Sequence, residues 1–218
     1  MKNFKKIVSI MEKEAKKRKA PVFEFENSIR ETPFKTLISV LLSSRTKDEK
    51  TLSASKKLFS KVTTPKQMLL LKNSEIEKAI YGVGFYKTKA RNIKELSKIL
   101  IKKFKGKVPD SMEKLLVLPG VGRKTANLVL SISFGKNTIG VDTHVHRISN
   151  RLGWVKTKKP EETEKQLLKI IPNNLIKKLN KTLVAYGQTI CTPMNPKCNI
   201  CKLSSICPKI NVKTINLL

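Results

Sequence analysis

The fold is decided by one short stretch of the sequence, Leu118-Pro119-Gly120-Val121-Gly122-Arg123-Lys124-Thr125-Ala126. Gly120 and Gly122 flank a single apolar residue, which predicts a tight turn whose backbone N–H groups no side chain shields. Helical apolar patterns precede and follow the turn, so we expect it to join two helices. Amides at the start of the second helix form a site for a phosphate oxygen. Glycine turns also occur where helices merely reverse direction, so the turn alone leaves both interpretations open.

Helical signals extend from this hairpin in both directions along the chain. Apolar residues recur at helical spacing between Phe34 and Leu42. Longer helices are predicted at about residues 87–104, 123–133, 143–152, 161–171 and 174–186. Capping signals predict further helix starts at Thr64 before Pro65, at Ser74 with Glu77, and at Asp110. Alternating extended stretches are nearly absent, so we expect an all-α chain.

The composition of the 218-residue chain indicates a polyanionic partner. Lys and Arg number 46 against 16 Asp and Glu, which gives a formal net charge of +30. The alternative is that an AT-rich genome accounts for many of these lysines, which would then lie on solvated helix faces. No apolar run reaches the roughly 20 residues needed to cross a bilayer, and the N-terminus lacks a signal-peptide pattern. We therefore expect a cytoplasmic protein without a membrane partner.

A second constellation follows the hairpin at residues 140–147, Gly-Val-Asp-Thr-His-Val-His-Arg. Asp142 is placed to cap the helix that begins at Thr143, and capping alone would explain an aspartate there. A carboxylate in a reaction site could also stabilise positive charge and accept a proton. His144 and His146 are two residues apart on a helix and point to different faces, so we reject a zinc site.

The cysteines form a third constellation, with the spacing C-x6-C-x2-C-x5-C. The four are Cys191, Cys198, Cys201 and Cys207. Four thiols within seventeen residues of an intracellular chain indicate a metal site and not disulfides. Zinc usually takes two close cysteine pairs, and this stretch has one. The spacing also differs from the ferredoxin run, although zinc stays open as an alternative.

Together these motifs resemble the helix–hairpin–helix DNA glycosylases, and within them the iron–sulfur branch of endonuclease III, with some likeness to its archaeal members. The resemblance covers about residues 30–208 and includes residues 41–48 and 84–90. It implies a [4Fe-4S] cluster on the four cysteines. It also implies that Lys124 is the nucleophile and Asp142 the catalytic aspartate. Lys124 alone could equally be a surface lysine that contacts phosphate. Its place in a first helical turn, however, favours the neutral amine that Schiff-base chemistry needs.

The resemblance further implies two helical domains that flank a DNA-binding cleft. One covers residues 26–136, and the other combines residues 1–25 with 137–218 and holds the cluster. We expect a monomer that binds double-stranded DNA carrying a damaged base or an abasic site. The expected DNA contacts are Ser43, Arg45, Lys89, Gly120, Gly122, Thr125, His144, Arg147 and Lys197. Bacterial members usually have glutamine where this chain has Arg45, which puts the opposite-base preference in doubt.

The function implied is a bifunctional DNA N-glycosylase and AP lyase of base excision repair. It would remove oxidised pyrimidines and nick 3′ to the abasic site by β-elimination. One alternative is a mismatch-directed glycosylase that acts on uracil, thymine or adenine. An alternative from a different class is a non-catalytic iron–sulfur module that binds DNA. Lys124 and Asp142 argue against the latter, since neither residue is needed to hold a cluster.

Overall fold

The computed structural model describes residues 3–29 and 32–212, with the side chains of all of them except residues 26–29. Over these residues every regular element is a helix, which confirms the predicted all-α class. In chain order the helices are α1 (Phe4–Lys17), α2 (Pro21–Ile29), α3 (Pro33–Ser43), α4 (Asp48–Phe59), α5 (Pro65–Leu70), α6 (Asn73–Ala79), α7 (Tyr86–Phe104), α8 (Met112–Leu116), α9 (Arg123–Phe134), α10 (Thr143–Arg151), α11 (Pro160–Ile170) and α12 (Asn173–Thr189). Within the described ranges, no helix is both long and apolar enough to span a bilayer.

The chain divides into two compact units. The central unit is continuous and covers Glu24–Lys136, whereas the terminal unit combines Met1–Phe23 with Asn137–Leu218. Each unit has its own apolar core. The glycine hairpin lies in the central unit, and the cysteines lie in the terminal unit.

Helix α3 is the centre of the central unit because it packs against α4, α7 and α9. Its residues Leu37, Ile38 and Leu42 are fully buried, as the apolar spacing predicts. Helix α7 also packs against α5 and α6, and its Leu96 and Leu100 lie in the same core. Helix α8 packs on α9, so the hairpin between them lies against the apolar core of the central unit.

In the terminal unit, the first helix of the chain packs against the last. Helix α1 buries Met11 and Ala15 against α12, and α12 also packs against α10. Ile148 of α10 and Leu183 of α12 belong to this core. Three of the cysteines pack against it, so the cysteine segment is an extension of the core.

Two of the three predicted capping signals differ from the structure. Thr64 caps α5 as predicted, with its hydroxyl accepting from the Gln67 amide at 3.2 Å. Helix α6, however, begins at Asn73, and the Glu75 carboxylate accepts from the Lys72 amide at 2.8 Å. The predicted Ser74 box is therefore wrong, because a glutamate three residues after Lys72 reaches back to that amide first.

The start of α8 is also shifted from the predicted cap at Asp110. Ser111 has the extended backbone of a capping residue, and its hydroxyl accepts from the Lys114 amide at 3.4 Å. Asp110 lies one residue too early, and its carboxylate lies 3.6 Å from the Lys136 ammonium. Serine and aspartate both cap helices well, so adjacent capping residues leave a one-residue ambiguity.

Candidate active site and cysteine cluster

The glycine hairpin joins α8 to α9 through residues 117–122. Gly120 has a φ of 79°, and a Cβ there would lie 2.8 Å from the Asn92 side-chain nitrogen. Glycine is therefore required both by the left-handed backbone and by the close neighbour. Gly122 is the N-cap of α9 and offers no side-chain oxygen to the amides of its first turn. Val121 is buried between the two glycines, which anchors the turn.

Lys124 is the second residue of α9, and its side chain is exposed. The amine therefore lies at the surface, directly after the turn that suits a phosphate. Thr125 follows it but is only 8% exposed. This burial favours the backbone amide over the hydroxyl for a phosphate contact of Thr125, and that contact stays a prediction.

Asp142 is the N-cap of α10, and its Oδ1 accepts from the Val145 amide at 2.9 Å. The side chain is half-buried, and Val145 beneath it is fully buried. The cap interaction fixes the carboxylate at the N-terminus of α10. Asp142 thus caps α10, and the cap is compatible with a catalytic role for the same carboxylate.

Arg147 lies five residues further along α10 and binds carbonyl groups. Its guanidinium donates to the Cys191 carbonyl from Nη2 at 2.8 Å and from Nε at 3.2 Å, and to Gly187 and Thr143 carbonyls at 3.3 Å. The Nδ1 of His144 lies 3.1 Å away from Nη2. Burial lowers the pKa of Arg147. The donors of Arg147 therefore hold α10 to the end of α12, and a phosphate contact of this residue stays a prediction.

The two histidines of α10 have separate partners. His144 contacts Arg147, whereas His146 Nδ1 lies 2.7 Å from the Thr163 hydroxyl of α11. Across the described part of the chain, no three His, Cys, Asp or Glu side chains lie close enough to hold one metal ion. His144 is half-buried beside Arg147, so a phosphate contact through its ring stays a prediction.

The loop after α3 presents an exposed cation and an exposed aromatic ring. Arg45 has a φ of 54°, and its guanidinium carbon lies 5.5 Å from the centre of the Phe85 ring. Phe85 is 63% exposed and nearby Tyr81 is 75% exposed. Ser43 donates its hydroxyl to the Val40 carbonyl at 2.8 Å, so it bonds its own helix. Exposed rings and guanidinium planes are suited to stacking on nucleobases.

Lys89 lies below this loop and not at the surface. It is 7% exposed, and its ammonium donates to the Leu42 carbonyl at 2.8 Å, the Ser44 carbonyl at 2.6 Å and the Thr46 hydroxyl at 3.3 Å. An ammonium has three donors, and these three acceptors match them. Burial lowers the pKa of Lys89 to about 8. The hydrogen bonds of the Lys89 ammonium are therefore internal ones, whereas a DNA contact of this residue stays a prediction.

The four cysteines, Cys191, Cys198, Cys201 and Cys207, line one cavity. None of them forms a disulfide. The buried Tyr186 hydroxyl lies 3.0 Å from Cys201 Sγ, and Arg151 Nη1 lies 3.4 Å from Cys191 Sγ. Burial raises the pKa of Tyr186, so its hydroxyl keeps the proton that it can donate to sulfur. Burial also raises the pKa of the Cys198 and Cys207 thiols.

Arg151 also holds the segment between the first two cysteines. Its guanidinium donates to the Thr192 carbonyl at 2.7 Å and to the Pro193 carbonyl at 2.8 Å. The Lys197 amide closes the segment by donating to the Ile190 carbonyl at 3.0 Å. The Lys197 side chain is exposed, which is the position that a phosphate contact requires.

Comparison with known proteins identifies this architecture. Residues 38–173 match the HhH-GPD superfamily base excision DNA repair protein family. An endonuclease III from Thermotoga maritima is 51% identical over 187 residues, which cover 85% of this chain and 88% of the relative. The chain belongs to the endonuclease III family. It is thus a base excision repair glycosylase by family.

Solved structures of the endonuclease III type have the same fold. A trapped endonuclease III–DNA covalent intermediate is 36% identical, with a TM-score of 0.78, over 89% of this chain and 96% of that one. A thermostable thymine-DNA glycosylase is 28% identical, with a TM-score of 0.73, over 89% and 95% of the two chains. Both are similar to this chain over nearly their whole lengths.

The cysteine segment fits the [4Fe-4S] cluster expected of an endonuclease III member. Its four thiols line one cavity, and tyrosine and arginine donors reach two of their sulfurs. Such donors to sulfur are typical of iron–sulfur sites.

Sequence reasoning missed one residue beside the Arg45 loop and two residues beside the cysteines. Phe85 could have been found from its position, an aromatic residue after a glycine at a helix start. Arg151 and Tyr186 carry no local signal, because both lie on amphipathic helices where they resemble ordinary surface and core residues. Their contacts with the cysteine segment arise from the packing of α10 and α12.

Proposed function

We propose that this chain is a bifunctional DNA N-glycosylase and AP lyase that removes oxidised pyrimidines and nicks 3′ to the abasic site. The observation that carries the proposal is Lys124, an exposed amine in the first turn of α9 directly after the glycine hairpin. An amine is the nucleophile that a lyase mechanism needs, whereas water suffices for base removal alone. The family membership supplies the base-excision context.

The proposed chemistry begins with attack of the neutral Lys124 Nζ on C1′ of the extruded nucleotide. The C1′–N bond to the base breaks, and the base leaves with the bonding electrons and a proton. The attached amine loses a proton, and its lone pair then breaks the C1′–O4′ bond. The ring oxygen takes up a proton as the sugar opens, and the iminium that forms at C1′ acidifies the C2′ hydrogen. Loss of that proton expels the 3′ phosphate and breaks the C3′–O bond. Hydrolysis of the iminium finally releases Lys124.

Asp142 is proposed to assist this chemistry with its carboxylate. Fixed at the N-terminus of α10 by the Val145 amide, it would stabilise positive charge at C1′ and accept a proton from Lys124. The same hydrogen bond limits the rotation of the carboxylate, which lowers the entropic cost of placing it against the reacting atoms.

DNA is proposed to bind first through its phosphates. The net charge of +30 favours any duplex, and the amides after Gly122 are suited to a phosphate oxygen. Arg45 and Phe85 would then stack on the bases beside the extruded nucleotide. An oxidised pyrimidine that has lost planarity stacks poorly, so its extrusion costs least. We propose that the protein acts as a monomer on damaged duplex DNA.

The four cysteines are proposed to hold a [4Fe-4S] cluster that organises the terminal unit. Bound there, the cluster would cross-link four points of a segment that has no helix of its own. Arg151 and Tyr186 would donate to the sulfurs of the cysteines that hold it, and Arg151 would keep the Thr192–Lys197 segment in place. Lys197 would thereby be presented to a phosphate.

The test is a nicking assay on a duplex with one thymine glycol, with and without borohydride, for wild type and Lys124→Ala. We expect cleavage and a borohydride-trapped adduct in the wild type and neither in the variant, a loss of at least about 10³-fold. Lys114→Ala is the matched control, since it removes an exposed lysine from α8 of the same hairpin. The control should nick at nearly the wild-type rate. Absence of both base release and adduct in the wild type would overturn the substrate assignment.

A mismatch-directed glycosylase is the second candidate, favoured by the 28% identity to a thermostable thymine-DNA glycosylase. Arg45, which stands where glutamine is usual, could accept a different opposite base. Duplexes that carry thymine or uracil opposite guanine distinguish the candidates. Release of thymine in preference to thymine glycol would favour the mismatch function.

A further inference from the structure

Three backbone and side-chain acceptors from one loop converge on the buried ammonium of Lys89. The Leu42 carbonyl belongs to the last turn of α3, where carbonyl groups lose their helical partners. The Ser44 carbonyl lies immediately before Arg45, at 2.6 Å from the ammonium. Thr46, the third acceptor, follows Arg45. Lys89 thus binds the chain on both sides of Arg45 although it lies on a different helix, α7.

The backbone of Arg45 also lies close to Gly84. A Cβ at Gly84 would lie 2.6 Å from the Arg45 carbonyl oxygen, so only glycine allows this approach. The Gly84 amide also donates to the Thr46 hydroxyl at 3.0 Å. The Thr46 hydroxyl is therefore shared between Lys89 and Gly84.

Arg45 and Phe85 both have left-handed backbones, with φ values of 54° and 58°. Residues with a Cβ adopt this conformation at a cost, and it persists where the surroundings enforce it. The ammonium of Lys89 and the close approach of Gly84 are such surroundings. They orient an exposed guanidinium over an exposed ring before any DNA is bound.

We propose that Lys89 is a positioning residue that holds the Ser43–Thr46 loop so that Arg45 and Phe85 form a preassembled wedge for base extrusion. The proposal rests on the proposed function, because a wedge is needed only where a base leaves the stack. Lys89 acts through the loop and does not touch the DNA. Its effect therefore falls on the extrusion of a stacked base and not on the chemistry at Lys124.

The experiment compares wild type with Lys89→Met, which keeps the length of the side chain and removes the ammonium. Two duplexes are nicked, one with thymine glycol and one with a preformed abasic site, which has no base to extrude. A 2-aminopurine next to the lesion reports unstacking by fluorescence. Hydrogen exchange on the free protein reports the order of residues 42–46 independently of activity.

Lys94→Met is the matched control. Lys94 lies on the same helix and donates to a single carbonyl, that of Leu71, at 2.7 Å. The Lys94→Met substitution thus removes a lysine–carbonyl hydrogen bond of the same kind at a place outside the Ser43–Thr46 loop. Thr46→Val supplies a second route to the same loop, since it removes the shared acceptor without burying a new group. It keeps the proposal testable if Lys89→Met does not fold.

For Lys89→Met we expect nicking of the thymine-glycol duplex to fall about 10- to 100-fold, with at most about a threefold change at the abasic site. The 2-aminopurine signal should develop more slowly, and exchange in residues 42–46 should be faster than in wild type. Thr46→Val should show the same pattern more weakly, and Lys94→Met should show none of it. Equal losses on both duplexes, or unchanged exchange in the loop, would overturn the proposal. Failure of the wild type on both duplexes would instead contradict the proposed function.

Discussion

Gly187 allows α10 and α12 to approach each other closely at a single point. A Cβ at this position would lie 2.4 Å from His144 Nδ1 and 3.0 Å from Arg147 Nη2. The absence of a side chain therefore permits the guanidinium of Arg147 to reach the carbonyl groups that end α12. The position of α10, and with it that of Asp142, depends on this glycine.

We predict that Gly187→Ala destabilises the protein by about 1–3 kcal/mol, although alanine favours a helix by up to about 1 kcal/mol. The Cβ displaces His144 or Arg147, and the hydrogen bonds to Cys191 lengthen. The measurement is the free energy of unfolding in guanidinium chloride. Gly122→Ala is the control for an added Cβ that meets no neighbour within 4 Å, at a φ of −94°. Because Gly122 is the N-cap of α9, this variant should lose some stability, but less than Gly187→Ala. Equal stability of the two variants would contradict the prediction.

We predict that the buried ammonium of Lys89 makes the stability of the protein depend on pH. Its pKa is lowered from 10.5 to about 8 by burial, so between these values the unfolded chain binds more protons than the folded chain. Stability from this group therefore rises with pH across that window. We expect the wild type to gain on the order of 1–2 kcal/mol over Lys89→Met between pH 7.5 and pH 9.5. Urea unfolding of both proteins at both pH values measures this difference in the free energy of unfolding. If the difference is the same at the two pH values, the pKa of Lys89 is not shifted.

Single residues mark the limit of what the sequence could predict. The glycines of the hairpin were identifiable because their neighbours along the chain define the turn. Lys89 and Arg147 were predicted as DNA contacts because they lie in motifs that resemble the endonuclease III family, and their burial was not predicted. Their burial depends on carbonyl groups that lie 47 and 44 positions away along the chain, and no local pattern encodes such distant partners.

Helices were more predictable than their ends. The apolar face of α3 and the long α7 follow directly from periodicity. The starts of α6 and α8 were misplaced by two residues and one residue, because neighbouring polar residues compete for the same amides. The contacts between α10 and α12 were not predictable, since they arise from how two helices cross.

Helix α10 connects the candidate catalytic aspartate with the cysteine segment. Asp142 caps its start, and near its end Arg151 binds the carbonyls of Thr192 and Pro193. The two arginines Arg147 and Arg151 therefore link the position of α10 to that of the cysteine segment.

We predict that iron removal loosens this arrangement while the central unit stays folded. Without a cluster, the cysteine segment loses its cross-links, and amides of α10 and α12 should exchange faster with solvent. Amides of α3 and α7 belong to a separate apolar core and should keep their protection. Hydrogen exchange before and after treatment with an iron chelator under oxidising conditions measures both. A uniform increase over the whole chain would contradict the prediction.

At the scale of the whole molecule, the charge dominates binding. A net charge of +30 on 218 residues predicts that affinity for undamaged duplex falls steeply with salt. We expect a loss of at least about 100-fold between 50 and 200 mM salt, measured by fluorescence anisotropy. The single-turnover nicking rate at saturating protein is the control and should change little. A shallow salt dependence would favour genome composition as the origin of the excess lysine.

The pairing of α1 with α12 has a consequence for how the protein is made. The terminal unit needs both ends of the chain, whereas the central unit is continuous. During synthesis α1 leaves the ribosome first, yet α12 follows only on the order of ten seconds later. The central unit can complete its core in that interval. Meanwhile the apolar face of α1, with Met11 and Ala15, has no partner, which makes this helix the natural segment for a chaperone to bind.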